Sequence, residues 1–328
     1  MSSGRHRRVC CQVCNHEMRS CDLKRHMKRK DHQTIDESDL SDEENSNGEY
    51  LLKDINLSDS DISGEENNDG IGKYAWKNKV VQRNHSHLLP RDIRAIVVGK
   101  SGVGKTCLVT YLLLSPKMLD YDYLTICGRS LHQAEYRVMK AAFSKGWSKN
   151  QVNALFGIQN HIEDVEKFIQ EYNGTCKGGV DVTFNDDPSS IPDPSEFDPK
   201  RKNFLVFDDI ILEPQSRVLQ YYVRGRHNSV DTIYITQSYF RLDRTTIREN
   251  ANMLIFFKQD NKNLSHIYQD HVAIDNVSYE DFRKFCSDVW NSGKYNFVTL
   301  DITRPLDQGK IRKNLDEIWI PNQNLNND

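Results

Sequence analysis

The segment from Ile93 to Leu114 constrains the fold of this chain more than any other. The β-branched run Ile93–Val98 predicts a buried strand, and the apolar run Cys107–Leu114 predicts a core helix. The loop between them has the pattern G-x-x-x-x-G-K-T and consists of Gly99, Lys100, Ser101, Gly102, Val103, Gly104, Lys105 and Thr106. A strand, this loop and a helix in succession are typical of a phosphate-binding site.

The residues of this loop suit the chemistry of a nucleoside triphosphate. Its glycines allow successive backbone N–H groups to face a polyphosphate, and the helix N-terminus adds partial positive charge. We expect Lys105 to reach the β- and γ-phosphates and the Thr106 hydroxyl to ligate Mg²⁺. The sequence therefore predicts binding of a nucleoside triphosphate with Mg²⁺.

A second apolar run carries the acidic groups that such a site needs. Asn203–Phe207 predicts a buried strand and is followed directly by Asp208 and Asp209. We expect Asp208 to lie beside the Mg²⁺ and Asp209 to polarise the attacking water, although the two acids could instead only cap the next element. Another predicted strand, 232–236, ends at Gln237, whose amide is placed to contact the γ-phosphate or the water.

Strand and helix patterns alternate along the rest of the chain. Further strands are predicted at 123–127, 253–257, 297–302 and 318–320, and further helices at 131–143, 149–156, 162–172, 264–271 and 279–290. The proline-rich segment 188–199 is predicted to be a loop. This alternation predicts an α/β fold of the P-loop NTPase type over residues 73–328, with a mostly parallel sheet flanked by helices.

Composition limits where the protein acts. The net charge of −3 gives no overall basic field of the kind that marks a nucleic-acid binder. No apolar run approaches the roughly 20 residues that a membrane helix needs. Because the chain has eight cysteines but no signal peptide, we expect reduced thiols in a soluble, intracellular protein that is neither secreted nor bound to a membrane.

Residues 5–32 form a basic segment that resembles the two-Cys, two-His zinc fingers. Its cysteine and histidine pairs have the spacing of four tetrahedral Zn²⁺ ligands. The predicted ligands are Cys11, Cys14, His26 and His32. The interval between the two pairs is one residue shorter than usual, so Cys10 or Cys21 stays open as a substitute ligand. The basic residues suit phosphate contacts to nucleic acid, while protein docking and nuclear import remain alternatives.

Residues 33–72 are predicted to be a disordered acidic linker. From Asp36 to Asp69 the chain is mostly Asp, Glu, Ser and Asn, and Lys53 is the only base. Few apolar residues and repelling charges cannot offset the entropy of the chain. We expect a solvated tether between the basic segment and the larger domain.

The nucleotide is predicted to be ATP. A regulatory GTPase would carry D-x-x-G after a strand and N-K-x-D for the guanine. Here the strand is followed by Asp-Asp-Ile-Ile at 208–211, and Asn-Lys-Asn-Leu at 261–264 lacks the aspartate.

Four further blocks carry a family resemblance. They are Phe207–Ile210, Arg224–Asn228, Ile235–Phe240 and Ile247–Asn250. With these blocks in order, residues 90–305 resemble the genome-packaging ATPases of poxviruses, related large DNA viruses and virus-like transposons, within the FtsK–HerA group of ring-forming DNA pumps. Two features depart from that pattern: the added zinc finger, and Asp209, where many relatives place a glutamate. The shorter base would slow hydrolysis.

The resemblance implies a motor that uses ATP to translocate double-stranded viral or transposon DNA into a capsid. It implies a homo-oligomeric ring, a capsid portal or vertex protein as partner, and a location in the nucleus, at a viral assembly site or in the virion. Within the site, Lys105, Thr106 and Asp208 would hold MgATP, Asp209 would activate water and Gln237 would sense the γ-phosphate.

A ring of this kind also needs an arginine that acts on the neighbouring subunit's nucleotide. Arg226 is the first candidate, followed by Arg224 and Arg248, and for each the alternative is a pairing within its own fold. Two other functions also remain open. One is a nucleotide-controlled zinc-finger adaptor that switches without pumping, and the other is a helicase or chromosome-partition ATPase.

Overall fold

The computed structural model describes residues 8–10, 17–19, 81–158, 161–174, 176 and 178–321. The chain divides into two compact units, Met1–Lys79 and Val80–Asp328. In the first unit, strands β1 (Arg8–Cys10) and β2 (Glu17–Arg19) pair antiparallel. The predicted zinc finger and linker otherwise lie outside the described residues, including the ligands Cys11, Cys14, His26 and His32, so both remain predictions.

The second unit alternates strands and helices. Its strands are β3 (Arg94–Val98), β4 (Tyr123–Gly128), β5 (Asp181–Asn185), β6 (Asn203–Asp208), β7 (Val230–Thr236), β8 (Met253–Phe256), β9 (Val298–Asp301), β10 (Ile311–Lys313) and β11 (Glu317–Ile318). Its helices are α1 (Lys105–Leu114), α2 (Ala134–Ser144), α3 (Lys149–Ile158), α4 (Ile162–Glu171), α5 (Ser216–Arg224), α6 (Asn261–His271) and α7 (Tyr279–Asn291). Within the part of the chain that the structure describes, no helix is both long and apolar enough to cross a membrane.

The strands of this unit form one sheet in the order β11-β10-β9-β8-β3-β7-β6-β4-β5. From β8 to β5 all neighbours are parallel, whereas β9, β10 and β11 extend the β8 edge as antiparallel strands. The predicted α/β fold with a mostly parallel sheet is therefore confirmed.

Both faces of the sheet are covered, which explains why its central strands are apolar throughout. Along β3, Ala95 and Val97 contribute to one core and Ile96 and Val98 to the other. Helices α1 to α4 pack on the first face and α5 to α7 on the second. The carboxyl ends of the parallel strands consequently lie together at one end of the sheet, between two helical layers. This end, as distinct from the edge strands, is the open edge.

Three elements were not predicted, and each has a weak sequence signal. Strand β5 is a half-exposed edge strand between polar residues, and β10 has only three residues. Helix α5 buries only Val218, Tyr221 and Tyr222 along one stripe of a polar sequence. The helix predicted from residue 131 begins at Ala134, because residues 129–133 are taken up by a turn.

Candidate active site

The glycine-rich loop connects β3 to α1 at the open edge of the sheet. Helix α1 begins at Lys105, and Gly104 before it has φ of 100°, a left-handed conformation that favours glycine. The Gly99 amide donates to the Thr236 carbonyl at 3.2 Å, which ties the loop to the end of β7. A pocket of about 730 Å³ opens here and is lined by Ser101, Gly102, Gly104, Lys105 and Thr106 together with residues from other strands.

The Lys105 ammonium lies among groups of opposite charge. Its Nζ donates to the Lys100 carbonyl at 2.9 Å. Burial lowers the pKa of Lys105, while the carboxylates of Asp208 and Asp209 act in the opposite direction. The loop and the predicted acidic pair, separated by about a hundred residues of sequence, therefore lie around the same pocket.

Asp208 ends β6 and is 4% exposed. The Tyr136 hydroxyl on α2 donates to its Oδ2 at 2.6 Å. Burial raises the pKa of Asp208, the Tyr136 hydrogen bond lowers it, the nearby Asp209 raises it and Lys105 lowers it. Gly128 pairs with Asp208 in register, and a Cβ there would lie only 2.7 Å from the Asp208 carbonyl oxygen, so this close approach requires glycine.

Asp209 and Gln237 face each other at the ends of neighbouring strands. Asp209 has φ of 54°, a left-handed conformation that aspartate tolerates better than most residues. The Gln237 amide lies 3.3 and 3.4 Å from the two carboxylate oxygens of Asp209. Because β7 separates β3 from β6, Gln237 emerges between the loop and the acidic pair.

The donor set at this edge fits Mg²⁺. The Thr106 hydroxyl and the Asp208 carboxylate both line the pocket. Mg²⁺ is typically held by one or two protein oxygens, with waters and substrate phosphates completing its shell. Among the described residues, no group of three or more His, Cys, Asp or Glu could hold a metal ion. Two protein oxygens beside a phosphate-binding loop suit a cation that arrives with a phosphate ligand.

One wall of the pocket had no signal in the sequence. Ser130 and Gln133 from the turn after β4, and Glu135 from the first turn of α2, line it. The Cys107 thiol lies 3.2 Å from the Glu135 carboxylate and donates to it. Burial, together with this hydrogen bond, raises the pKa of Cys107 to about 11. These residues belong to no recognised motif, so only the packing of α2 reveals them.

The three candidate arginines lie in two different environments. Arg224 and Arg226 are exposed, and the turn Gly225–Asn228 precedes β7 at the sheet edge opposite Gln237. The seven residues of β7 span roughly 23 Å, so Arg226 does not reach the pocket of its own subunit. Arg248 is 5% exposed and forms an ion pair with Asp270 at 3.0 Å. The action of any of them on a neighbouring subunit stays a prediction.

Comparisons with known proteins give structural similarity only. No family model matches the chain, and no curated protein matches its sequence. The genome packaging NTPase B204 from Sulfolobus turreted icosahedral virus 2, in complex with AMPPCP, is 13% identical with a TM-score of 0.42, and the match covers 69% of this chain and 98% of that one.

Two further solved structures are similar at the same level. The DNA-packaging ATPase B204 from Sulfolobus Turreted Icosahedral Virus is 16% identical with a TM-score of 0.38, covering 70% of this chain and 99% of that one. The cytoplasmic domain of the type VII secretion ATPase EccC from Thermomonospora curvata is 13% identical with a TM-score of 0.35, covering 65% and 24%. Such identities do not identify a family.

Proposed function

We propose that this protein hydrolyses ATP to ADP and phosphate and uses the energy to move double-stranded DNA. The proposed hydrolysis of ATP rests on one observation. The loop lysine Lys105 lies around the same pocket as Asp208, Asp209 and Gln237. A loop that can hold phosphates, a buried carboxylate for a cation and a second carboxylate beside it are the parts that phosphoanhydride hydrolysis needs.

Each residue has a defined part in this reaction. The loop N–H groups and Lys105 hold the β- and γ-phosphates, and Thr106 with Asp208 would hold Mg²⁺, which neutralises phosphate charge as it develops. Asp209 orients a water and takes its proton. The water oxygen bonds to the γ-phosphorus, the bond from that phosphorus to the bridging oxygen breaks, and ADP leaves with the electron pair.

Gln237 and Tyr136 act through the two carboxylates. The Gln237 amide is within 3.4 Å of Asp209, so it can fix the orientation of that base and also respond to loss of the γ-phosphate. Tyr136 occupies Asp208 Oδ2 and leaves Oδ1 as the oxygen available to a cation. Neither residue supplies charge, and both set geometry.

The proposed coupling to DNA rests on the sequence resemblance and gains support from β7. This strand joins two of the resembling blocks, Arg224–Asn228 at one sheet edge and Ile235–Phe240 at the other. All seven of its residues are buried, so it is a rigid link between the γ-phosphate end and an exposed arginine turn. In a ring, that turn would lie at a subunit interface and Arg226 would complete the neighbour's site. DNA packaging into a capsid is the finer form of this proposal.

The proposed N-terminal zinc site rests on spacing alone. Cys11, Cys14, His26 and His32 would bind about one Zn²⁺ per chain. Metal analysis of reduced, freshly purified protein tests this directly, with a Cys11→Ser, Cys14→Ser double variant as control. Absence of zinc from the unsubstituted protein would remove the finger.

Hydrolysis with and without duplex DNA tests the proposed function. We expect sustained multiple turnover that duplex DNA stimulates, and a loss of about 100-fold or more in Lys105→Ala. A single slow turnover, insensitive to DNA, would favour the nucleotide-controlled switch instead. An unsubstituted protein that neither binds nor hydrolyses ATP would refute the proposal altogether.

Subunit mixing tests the ring. Arg226→Ala should bind ATP normally but hydrolyse it slowly, because the arginine acts only on the neighbour's nucleotide. A mixture with Lys105→Ala subunits contains some interfaces in which an intact loop faces an intact arginine, so partial activity should return. If both variants co-assemble and the mixture stays inactive, Arg226 is not the acting arginine. Failure to assemble under any nucleotide or DNA condition would exclude the pump.

A further inference from the structure

The two ends of the pocket have opposite chemistry. Toward β4, β6 and β7 it is lined by the polar groups Glu135, Asp208, Asp209 and Gln237. Toward β8 and β9 it is lined by the aromatic side chains Phe257, Tyr295 and Phe297. None of these aromatic residues has a part in the hydrolysis described above.

Strand register brings the aromatic residues together. Strands β8 and β9 run antiparallel with Phe256 opposite Val298, so the next residue of the first strand and the preceding residue of the second lie at the same edge. Phe257 and Phe297 have ring centroids 5.4 Å apart and are 2% and 8% exposed. They form a buried aromatic pair at the β8 side of the loop.

Tyr295 lines the same end of the pocket as this aromatic pair but differs from it in being exposed to solvent. The residue is 57% exposed although it lines the pocket. Its Cδ1 lies 3.5 Å from the position that a Cβ on Gly104 would occupy, so the ring lies alongside the last glycine of the loop. Lys294 Nζ is 5.1 Å from the ring centroid, and no other ring of the described residues stacks on it. An exposed, flat aromatic surface is thus held beside the phosphate-binding loop.

The direction of the substrate follows from the polar end. The groups that act on the γ-phosphate lie beside β6 and β7, so the phosphate chain must run along the loop away from them. Its other end then reaches the side of the loop where β8 and β9 emerge. The group attached there is the nucleoside, whose base is a flat heterocycle that gains free energy by leaving water for an aromatic surface.

We propose that Tyr295, backed by Phe257 and Phe297, is the nucleobase subsite of this pocket and stacks on the base of the bound nucleoside triphosphate. This inference rests on the proposed nucleotide binding and adds to it the residue that recognises the base. The side chain contributes through its ring. Its hydroxyl is not required.

The test compares MgATP with magnesium tripolyphosphate, which has the phosphates but no base. Dissociation constants are measured by calorimetry on the full chain for the unsubstituted protein and for Tyr295→Ala, Tyr295→Leu and Tyr295→Phe. The matched control is Tyr111→Ala, which removes a tyrosine on α1 that is 50% exposed and does not line the pocket. Thermal melts check that every variant folds.

We expect Tyr295→Ala and Tyr295→Leu to raise the Kd for ATP about 5- to 160-fold, the range that corresponds to removing an aromatic side chain stacked on a base. Their Kd for tripolyphosphate should not change. Tyr295→Phe and Tyr111→Ala should bind both ligands normally. In hydrolysis, KM should rise by the same factor as Kd while kcat stays nearly constant, because the base does not take part in the reaction.

Each contrary outcome has one meaning. Unchanged ATP affinity in Tyr295→Ala and Tyr295→Leu overturns the subsite while leaving the proposed function intact. Equal weakening of ATP and tripolyphosphate also overturns it, because Tyr295 would then only shape the loop. If the unsubstituted protein binds neither ligand, the proposed function and the subsite are both wrong.

Discussion

Two buried aspartates at opposite ends of neighbouring parallel strands show how one residue type can serve different purposes. Asp231, at the start of β7, is 1% exposed and accepts from Arg83 at 2.9 Å, from His85 Nε2 at 2.9 Å and from the Ile93 amide at 2.7 Å. The His85 Nδ1 accepts from a backbone amide, so its Nε2 carries the proton. Asp208, at the end of β6, is 4% exposed and has one donor within the described part of the chain, Tyr136.

The difference lies in how completely each charge is compensated. Asp231 has several donors, one of them a guanidinium, so its buried charge is balanced in the folded protein. Neither of its oxygens is left free for a ligand. Asp208 has one oxygen left over, and burial raises its pKa, so its ionised form is costly without a cation. The end of the sheet with Asp231 serves stability, and the end with Asp208 keeps an incompletely compensated charge for binding.

The largest expected effect is on activity at the open edge. Asp208→Asn should reduce hydrolysis by about 100-fold or more, because a neutral amide holds the cation poorly. Its melting temperature, measured without Mg²⁺, should equal or exceed that of the unsubstituted protein. The pKa of this carboxyl is higher in the folded than in the unfolded protein, so its ionisation lowers the free energy of unfolding as the pH rises through the folded-state pKa. The amide cannot ionise and therefore avoids this loss. A clear drop in melting temperature would contradict the comparison.

Next in size is a loss of stability at the amino ends of the parallel strands, where Asp231 lies. Asp231→Asn should cost about 3–5 kcal/mol in the free energy of unfolding, because the buried Arg83 loses its buried partner. The folded fraction should hydrolyse ATP at the normal rate. The control is Asp92→Asn, which removes the half-exposed second partner of Arg83 and should cost less than about 1 kcal/mol. Urea denaturation measures both, and equal costs would show that the burial of Asp231 is irrelevant.

A smaller effect should follow from removing the Tyr136 hydroxyl, the one donor to Asp208 among the described residues. Tyr136→Phe should raise the pKa of Asp208 further, so the acid limb of the activity profile should move to higher pH. Activity should fall by up to about tenfold on the acid limb of the profile, with a smaller loss at higher pH. Tyr222→Phe is the matched control, because its buried hydroxyl donates to the Ala95 carbonyl away from the pocket. That variant should lose stability of about 1 kcal/mol with an unchanged pH profile. Identical profiles for the two variants would assign Tyr136 a structural role only.

The smallest expected effect concerns the Cys107 thiol. With a pKa of about 11, little of it is thiolate at pH 8, so alkylation by iodoacetamide should be slow despite its exposure. Glu135→Gln removes the carboxylate that, after burial, raises this pKa, so alkylation should become about three- to tenfold faster. Peptide mass spectrometry follows the modification, with Cys176 as the internal reference. No acceleration would show that burial alone controls the thiol.

The sequence predicted the fold class because its signals are local. The strands β3, β4, β6, β7 and β8 are short apolar runs, and burial on both faces leaves that run as their signature. Helix α5 and the edge strand β5 are half-polar and gave no comparable signal. The local sequence likewise gives no signal for the role of Tyr136, which has the pattern of an ordinary aromatic residue in a helix. Only the structure shows its hydroxyl 2.6 Å from Asp208.

By itself, the sequence determined the phosphate-binding loop, the acidic pair at the end of a buried strand and the polar residue that ends another strand. These are contiguous patterns in which backbone conformation and burial depend on near neighbours. Only the tertiary structure decided that β7 lies between β3 and β6, that α2 brings Tyr136 to Asp208 and Glu135 to the pocket, and that the turn before β9 brings Tyr295 to the other end of the pocket. Strand order and helix docking depend on contacts between residues far apart in the chain, and no local pattern records which distant segments will meet.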